Sequence, residues 1–210
     1  IPGLKVVAPS SPADAKGLMI SAVEDNSPVV FLEHRWLHGT FGEVPENKFE
    51  VPIGKARNVV EGADVTIVTS SYMVIEALRA TKALSNIGVS TEVIDIRSYR
   101  PLDMDTIIES VRKTGHMLAV DLGWSSYGIC SEIIANIVET DLSILKSNPV
   151  RIGIAEVPIP STRALADLCY PSAKTMVVNI GKILQIDVSS VILNLPDVVD
   201  TPNKDFNGPF

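Results

Sequence analysis

Short apolar runs alternate with longer helical segments between residues 64 and 187, and this alternation limits the possible folds more than any other feature. Strands are predicted at 64–69, 89–96, 117–122 and 150–155, and helices at 72–87, 103–114, 126–141 and 172–187. Strands of this length that alternate with helices indicate a parallel or mostly parallel α/β sheet. We therefore predict a domain over residues 51–188, followed by an irregular tail at 189–210.

Capping residues support the predicted helix ends in this region. Asp103 and Ser172 stand where N-cap residues are expected, because their side-chain oxygens can accept hydrogen bonds from free amides of the first turn. Gly88 and Gly115 follow two predicted helices, where a glycine can take the left-handed conformation of a C-terminal cap. The helices are thus bounded by residues suited to end them.

A separate β-α-β pattern occupies the first 34 residues. A short strand before Pro9 leads to a helix with Ser11 as N-cap, Pro12 at its first position and Asp14 in its first turn; a second strand follows at 28–34. One such unit cannot cover both faces of its own strands. We therefore expect residues 1–50 to be the last part of a larger domain plus a linker. A short edge strand is expected after this segment, near residues 55–59.

Composition favours a folded enzyme and disfavours several classes of partner. Of the 210 residues, 46% are hydrophobic, and the formal net charge is −7. An acidic chain is not expected to bind nucleic acid or an acidic membrane surface, and no apolar run reaches the length of a membrane span. Cys130 and Cys169 are far apart, and we expect two buried free thiols in a reducing compartment.

Familiar nucleotide and nucleophile motifs are missing from the sequence. There is neither a GxGxxG fingerprint nor a GxxxxGK[ST] loop, so a dinucleotide site and a P-loop are unsupported. Residues 123–128 have the spacing GxSxxG, which differs from that of a nucleophile elbow. They favour a strand-to-helix turn in which Ser125 or Ser126 caps the next helix.

Three histidines were considered as metal or catalytic groups. His34 and His38 stand at i and i+4, a spacing that can bind zinc from one helix face. No third ligand is evident, and ordinary polar contacts are the favoured alternative. His116 begins a strand and is expected to be packed or to face solvent.

Three acidic residues lie at or near the carboxyl ends of predicted strands. Asp95, Asp121 and Glu156 would therefore lie along the edge where open α/β sheets bind ligands. A functional cluster at this edge is one hypothesis. The favoured alternative is that these side chains cap the turns and helices that follow.

Several longer motifs are similar to a known family. The chain resembles the β subunit of thiamine-diphosphate-dependent 2-oxoacid dehydrogenases, which include pyruvate, branched-chain 2-oxoacid and acetoin dehydrogenases. The similar segments, in order along residues 1 to about 185, are PGLKVVAPS at 2–10, DAKGL at 14–18, PVVFLE at 28–33, PIGKA at 52–56, VTIVT at 65–69, EVIDIR at 92–97, RPLD at 100–103, DLGW at 121–124, and Gly128 with SEI at 131–133.

This resemblance implies a transketolase-type architecture. Residues 1–50 would be the last part of a pyrimidine-binding domain, and residues 51–188 a transketolase C-terminal domain with a mixed, mostly parallel five-stranded sheet flanked by helices. In this family an α subunit holds the diphosphate and magnesium, and the β subunit supplies the pyrimidine pocket. The family's glutamate and histidine would precede Ile1, so we expect no catalytic or cofactor-binding residue here and no activity from this chain alone.

The resemblance also implies partners, a compartment and one metal site. The partners would be an α subunit, a second β subunit and a lipoyl acyltransferase. The compartment would be the cytoplasm in a bacterium, or the mitochondrial matrix or plastid stroma in a eukaryote. A structural potassium ion would be bound at the end of the first helix, and its ligands would be Ala22, Val23, Asp25 and Ser27.

Two departures from the family pattern bear on the identity of the substrate. Leu122 replaces a common acidic residue or glycine, and residues 155–160 lack the usual Gly-x-Asp before the Val-Pro-x-Pro stretch. A transketolase or deoxyxylulose-phosphate synthase acting on sugar phosphates is an alternative, with Arg35 near the position of a phosphate-binding arginine. A non-catalytic assembly module is another.

Overall fold

The protein folds into two β-sheets with helices packed around them. The computed structural model describes residues 1–193 and 195. The strands are β1 (Lys5–Val7), β2 (Val29–Phe31), β3 (Arg57–Val60), β4 (Val65–Thr69), β5 (Thr91–Asp95), β6 (Ser98–Arg100), β7 (Met117–Trp124) and β8 (Val150–Ile154). The helices are α1 (Pro12–Glu24), α2 (Met73–Ser85), α3 (Met104–Thr114), α4 (Ile129–Asp141), α5 (Arg163–Ala166), α6 (Ala173–Leu184) and α7 (Ser189–Ile192).

The larger sheet has five strands in the order β3-β5-β4-β7-β8. β4 pairs in parallel with β5 and β7, β7 pairs in parallel with β8, and β3 is antiparallel at one edge. Every residue of β4 and β5 is buried. The predicted mixed, mostly parallel five-stranded sheet with a short edge strand is confirmed.

Two hydrophobic cores cover the two faces of the larger sheet. One core packs α2 and α6 against it, with Ile67, Ala77 and Ile180 fully buried. The other packs α3 and α4 against it, with Ile107 and Ile133 at the centre. Val65 and Ile67 of β4 face the first core and Val68 the second, so both faces of this strand are buried.

The smaller sheet contains a third strand that the sequence pattern does not predict. β1 pairs in parallel with β2 and also pairs antiparallel with β6, which follows β5 in the chain. The amide of Ala8 donates to the carbonyl of Arg97 at 2.9 Å and extends this contact. β6 has only three residues and no apolar period, so the sequence pattern did not reveal it. The two units are therefore joined by backbone hydrogen bonds.

The predicted caps are confirmed with two exceptions. Gly88 takes the left-handed conformation but does not cap α2 directly, because the helix ends at Ser85 with Asn86 as C-cap. Ser11, Asp103 and Ser172 each accept a hydrogen bond from an amide in the first turn of their helix, and Gly115 takes the left-handed conformation after α3. The expectation that Ser125 or Ser126 caps α4 is wrong, because the N-cap is Gly128 and makes no side-chain bond.

The C-terminal segment departs from the prediction at its start. We expected an irregular tail from residue 189, but α7 forms a helical turn there and buries Val191. The amide of Val191 donates to the carbonyl of Val188 at 3.1 Å. The rest of the predicted tail, at 194 and 196–210, lies outside the described residues.

Candidate functional site

A crevice lies where the carboxyl ends of strands from both sheets meet. Its inner part is a cavity of about 190 Å³. The first sheet contributes Ala8 after β1 and Glu33 and His34 after β2, and the larger sheet contributes Ser70 after β4 and Asp121 in β7. Ligands of open α/β proteins bind at this kind of edge, so we take the crevice as the candidate site.

The inner wall is built around the carboxylate of Asp121. Its Oδ1 accepts hydrogen bonds from the Tyr99 hydroxyl at 2.9 Å and the Ser70 hydroxyl at 3.0 Å. Its Oδ2 accepts the amide of Gly123 at 2.8 Å. Burial, followed by the nearby charge of Asp121, raises the pKa of Tyr99 well above its usual range, so this hydroxyl stays a donor. Three strands thus hold one carboxylate in a fixed orientation.

The opposite wall holds His34 in an aromatic cluster. The imidazole stacks on Tyr72 with ring centroids 5.2 Å apart, and Trp36 meets Tyr72 edge-on at 5.0 Å. His34 Nδ1 accepts the amide of Trp36 at 3.3 Å, so the proton of the neutral ring is on Nε2. Burial, and then the proximity of His38, lowers the pKa of His34. The ring is therefore a neutral donor at neutral pH.

An outer pocket of about 310 Å³ shares Glu33 and His34 with the inner cavity. Its other side is formed by the start of α1, including Ser10 and Pro12. Glu33 Oε2 lies 3.4 Å from His38 Nε2 at this rim. The two pockets thus adjoin at Glu33 and His34, and the outer one is lined by residues 9–40 of the first unit.

Carboxylates and neutral donors determine what this crevice can bind. Asp121 and Glu33 carry negative charge, and no lysine or arginine lines either pocket in the part of the chain that the structure describes. Such walls suit a small ligand with hydrogen-bond donors. They do not suit a diphosphate, because its charges would face two carboxylates without compensation.

The three acidic residues singled out in the sequence do not form one cluster. β4 lies between β5 and β7, so Asp95 and Asp121 are about two strand spacings, or roughly 10 Å, apart. Asp95 contacts Ser10, and Glu156 accepts hydrogen bonds from the amide and hydroxyl of Ser126. Only Asp121 lies in the crevice.

The histidine pair does not form the helical metal site considered from its spacing. A 3₁₀ turn at Arg35–Leu37 separates the two rings, with His34 as its N-cap. Over residues 1–193 and 195, no group of three or more His, Cys, Asp or Glu side chains is placed to hold a metal ion. His116 instead hydrogen-bonds Ser147 through Nδ1 at 2.8 Å.

The predicted potassium ligands lie at the end of α1, where carbonyls lack partners within the helix. Asp25 leaves the helix in an extended conformation, and its carboxylate accepts the amide of Ser27 at 2.8 Å and the ammonium of Lys5. The hydrogen bond from Lys5, followed by that from Ser27, holds the pKa of Asp25 below its usual value. This carboxylate is already paired with a cation, so only the backbone carbonyls fit a potassium ion.

Sequence patterns missed most of the crevice. Ser70 and Tyr99 have no distinctive spacing, and Tyr99 is in β6, a strand that the sequence pattern does not predict. His34 was considered as a zinc ligand but not as a neighbour of Asp121. The only sequence signal for these residues was their position next to strand ends.

Comparison with known families identifies the larger unit. The profile of the transketolase C-terminal domain family matches residues 54–176, which is more than half of the chain. The chain belongs to this family. The matched transketolase C-terminal domain begins before β3 and ends in α6.

Individual relatives match a larger share of the chain than the family profile does. The β subunit of acetoin:2,6-dichlorophenolindophenol oxidoreductase from Cupriavidus necator is 44% identical over 173 residues, covering 82% of this chain and 51% of the relative. The β subunits of the pyruvate dehydrogenase E1 component are similar as well. The Bacillus subtilis protein is 41% identical over 185 residues (88% of this chain, 57% of the relative), and the human mitochondrial protein is 42% identical over 190 residues (88% and 53%). The chain thus spans about half the length of these curated relatives.

Solved structures agree with the fold. A split-gene transketolase, described as an inactive β4 tetramer, superposes with a TM-score of 0.73 at 27% identity, covering 89% of this chain and 59% of that one. A transketolase from Pichia stipitis gives a TM-score of 0.54 at 16% identity, covering 88% and 25%. The second similarity concerns the fold alone.

No helix among residues 1–193 is both long enough and apolar enough to cross a membrane.

Proposed function

We propose that this chain acts within the β subunit of a thiamine-diphosphate-dependent dehydrogenase of 2-oxoacids or acetoin. The observation that supports this is an identity of 41–46% to acetoin and pyruvate dehydrogenase β subunits across both of its structural units. The intact enzyme would oxidatively decarboxylate a 2-oxoacid, such as pyruvate, and pass the acyl group to lipoamide.

The proposed assembly contains more than this chain. An α subunit would bind the diphosphate and magnesium, a second β subunit would complete the tetramer, and a lipoyl acyltransferase would receive the acyl group. The described crevice offers no cation for a diphosphate, which is consistent with the proposal that another subunit holds it. Mitochondrial and bacterial relatives support a mitochondrial, plastid or bacterial cytoplasmic location.

A sugar-phosphate enzyme is the less favoured alternative. The Pichia stipitis transketolase is only 16% identical, and the split-gene transketolase is 27% identical. Both values are well below those of the dehydrogenase subunits. An assembly module without catalytic partners receives no specific support.

Activity of the full-length protein with its α subunit tests the proposal. Dichlorophenolindophenol would serve as electron acceptor, with pyruvate, a branched-chain 2-oxoacid and acetoin as separate substrates. We expect dye reduction with at least one substrate, dependent on thiamine diphosphate and magnesium. Ketol transfer between sugar phosphates without dye reduction would support the alternative, and no activity with an assembled α subunit would support the assembly module.

We also propose that the end of α1 binds potassium through the carbonyls of Ala22, Val23, Asp25 and Ser27. A cation that binds only the folded protein raises its stability with increasing concentration. We therefore expect a higher unfolding temperature in KCl than in NaCl of equal ionic strength. The difference should persist in Asp25→Asn, because a carbonyl ligand is unaffected by that change, and equal temperatures in the two salts would contradict the site.

A further inference from the structure

A cluster of four charged side chains, two of them buried carboxylates, joins the first β-α-β unit to the larger sheet. Asp14 comes from the first turn of α1, and Asp95 ends β5; their side chains are 3% and 0% exposed. Arg57 is in β3, and Arg97 follows β5. The cluster crosses the same junction as the β1–β6 pairing, so its charge state bears on how the units are held together.

The two carboxylates share one guanidinium. Arg57 Nη1 is 3.0 Å from Asp14 Oδ2, and Arg57 Nη2 is 3.6 Å from Asp95 Oδ2. Arg97 Nη1 lies 3.1 Å from Asp14 Oδ1 and makes no side-chain bond to Asp95. Asp14 is therefore neutralised by two arginines, whereas Asp95 has only the longer contact.

Neutral groups supply the remaining contacts of Asp95. The Ser10 hydroxyl donates to its Oδ2, and the amide of Arg97 donates to its Oδ1 at 3.1 Å. Two nearby charged residues, Asp103 and Lys55, pair with each other at 3.6 Å. When both buried carboxylates are ionised, the charge of Asp95 is thus balanced only in part.

We propose that Asp95 is a proton-operated latch that fastens the first β-α-β unit to the larger sheet more firmly when protonated than when ionised. Protonation removes the repulsion between Asp95 and Asp14 and leaves both arginines to Asp14. The neutral carboxyl still has hydrogen-bond partners in Ser10 and the Arg97 amide. The first unit would therefore separate from the larger sheet more readily once Asp95 has lost its proton.

The titration of Asp95 gives the direction and the pH range. Burial raises its pKa to about 6, with Asp14 adding to the rise and Ser10 and Arg57 opposing it. An aspartate in the unfolded chain titrates near pH ~3.9. Because the folded pKa is higher, this contribution to stability is complete below pH ~3.9 and is lost as the pH rises through about 6.

Hydrogen exchange at the junction tests the latch in the whole chain. The Ala8 amide donates to Arg97 across the junction, and the Thr66 amide donates to His116 inside the larger sheet. After correction for intrinsic rates, we expect the protection factor of Ala8 to fall about tenfold between pH 5 and 7, with a smaller change at Thr66. Asp95→Asn should abolish the fall, whereas Asp105→Asn, an exposed control in α3, should retain it.

Several outcomes would overturn the latch. They are a constant Ala8 protection factor in the unchanged protein, a fall that persists in Asp95→Asn, and an equal fall at Thr66, which would indicate a change in global stability. If Asp95→Asn does not fold, Ser10→Ala provides the test. Loss of the Ser10 hydroxyl should move the fall to higher pH, and an unchanged midpoint would refute the proposal.

Discussion

Tyr99 is the residue through which the crevice wall can be tested. Its hydroxyl donates to Asp121 at 2.9 Å and is 2.7 Å from the Ser70 hydroxyl, in a buried environment. Tyr99→Phe leaves Asp121 Oδ1 with one hydroxyl donor, and we expect a loss of about 1 kcal/mol in the free energy of unfolding. Urea denaturation measures this loss. Tyr127→Phe is the matched control, because Tyr127 is fully exposed; equal losses in the two variants would contradict the assigned contacts.

The turn that follows β3 approaches β5 so closely at Gly62 that there is no room for a side chain. The glycine follows β3 and lies against β5, where a Cβ would be 2.2 Å from the carbonyl carbon of Thr91 and 2.3 Å from the amide nitrogen of Glu92. Gly62→Ala must displace one of these backbones, and we expect a loss of about 2 kcal/mol or more in urea denaturation. Gly42→Ala is the control, since its Cβ would make only ordinary contacts with Pro12. If Gly62→Ala loses no more unfolding free energy than Gly42→Ala, the turn can relax around the added methyl group and the prediction is wrong.

At the scale of the molecule, the first unit has a core of its own. Leu18 is fully buried in a small cluster with Val7 and Val51, separate from the cores of the larger sheet. Leu18→Ala should therefore destabilise this unit by about 2–5 kcal/mol while the larger sheet stays folded. In hydrogen exchange, the Leu32 amide, which donates to Val7, should lose protection, and the Thr66 amide should not.

Ile107→Ala is the control for this separation of the cores. Ile107 is fully buried in one core of the larger sheet, so its truncation should lower the protection of Thr66. If Leu18→Ala lowers the protection of Leu32 and Thr66 equally, the two units unfold as one and the inferred separation is wrong.

Local signals along the chain are enough to predict several of its elements. The apolar runs of β4 and β5, the N-caps Ser11, Asp103 and Ser172, and the C-cap Gly115 all carry their structural reason within a few residues. The resemblance to the dehydrogenase β subunits likewise depended on short motifs in order. These features do not require knowledge of which segments meet in space.

How the two units join and where the crevice lies depend on contacts between segments that are far apart in the sequence. β6 is a strand because it meets β1, and Tyr99 becomes a site residue because β6 brings it to Asp121. The sequence places Asp14 in the first turn of a helix and Asp95 at a strand end, but their shared contact with Arg57 exists only in the folded chain. Hydrogen bonding and desolvation between distant segments set these properties, and no local pattern encodes them.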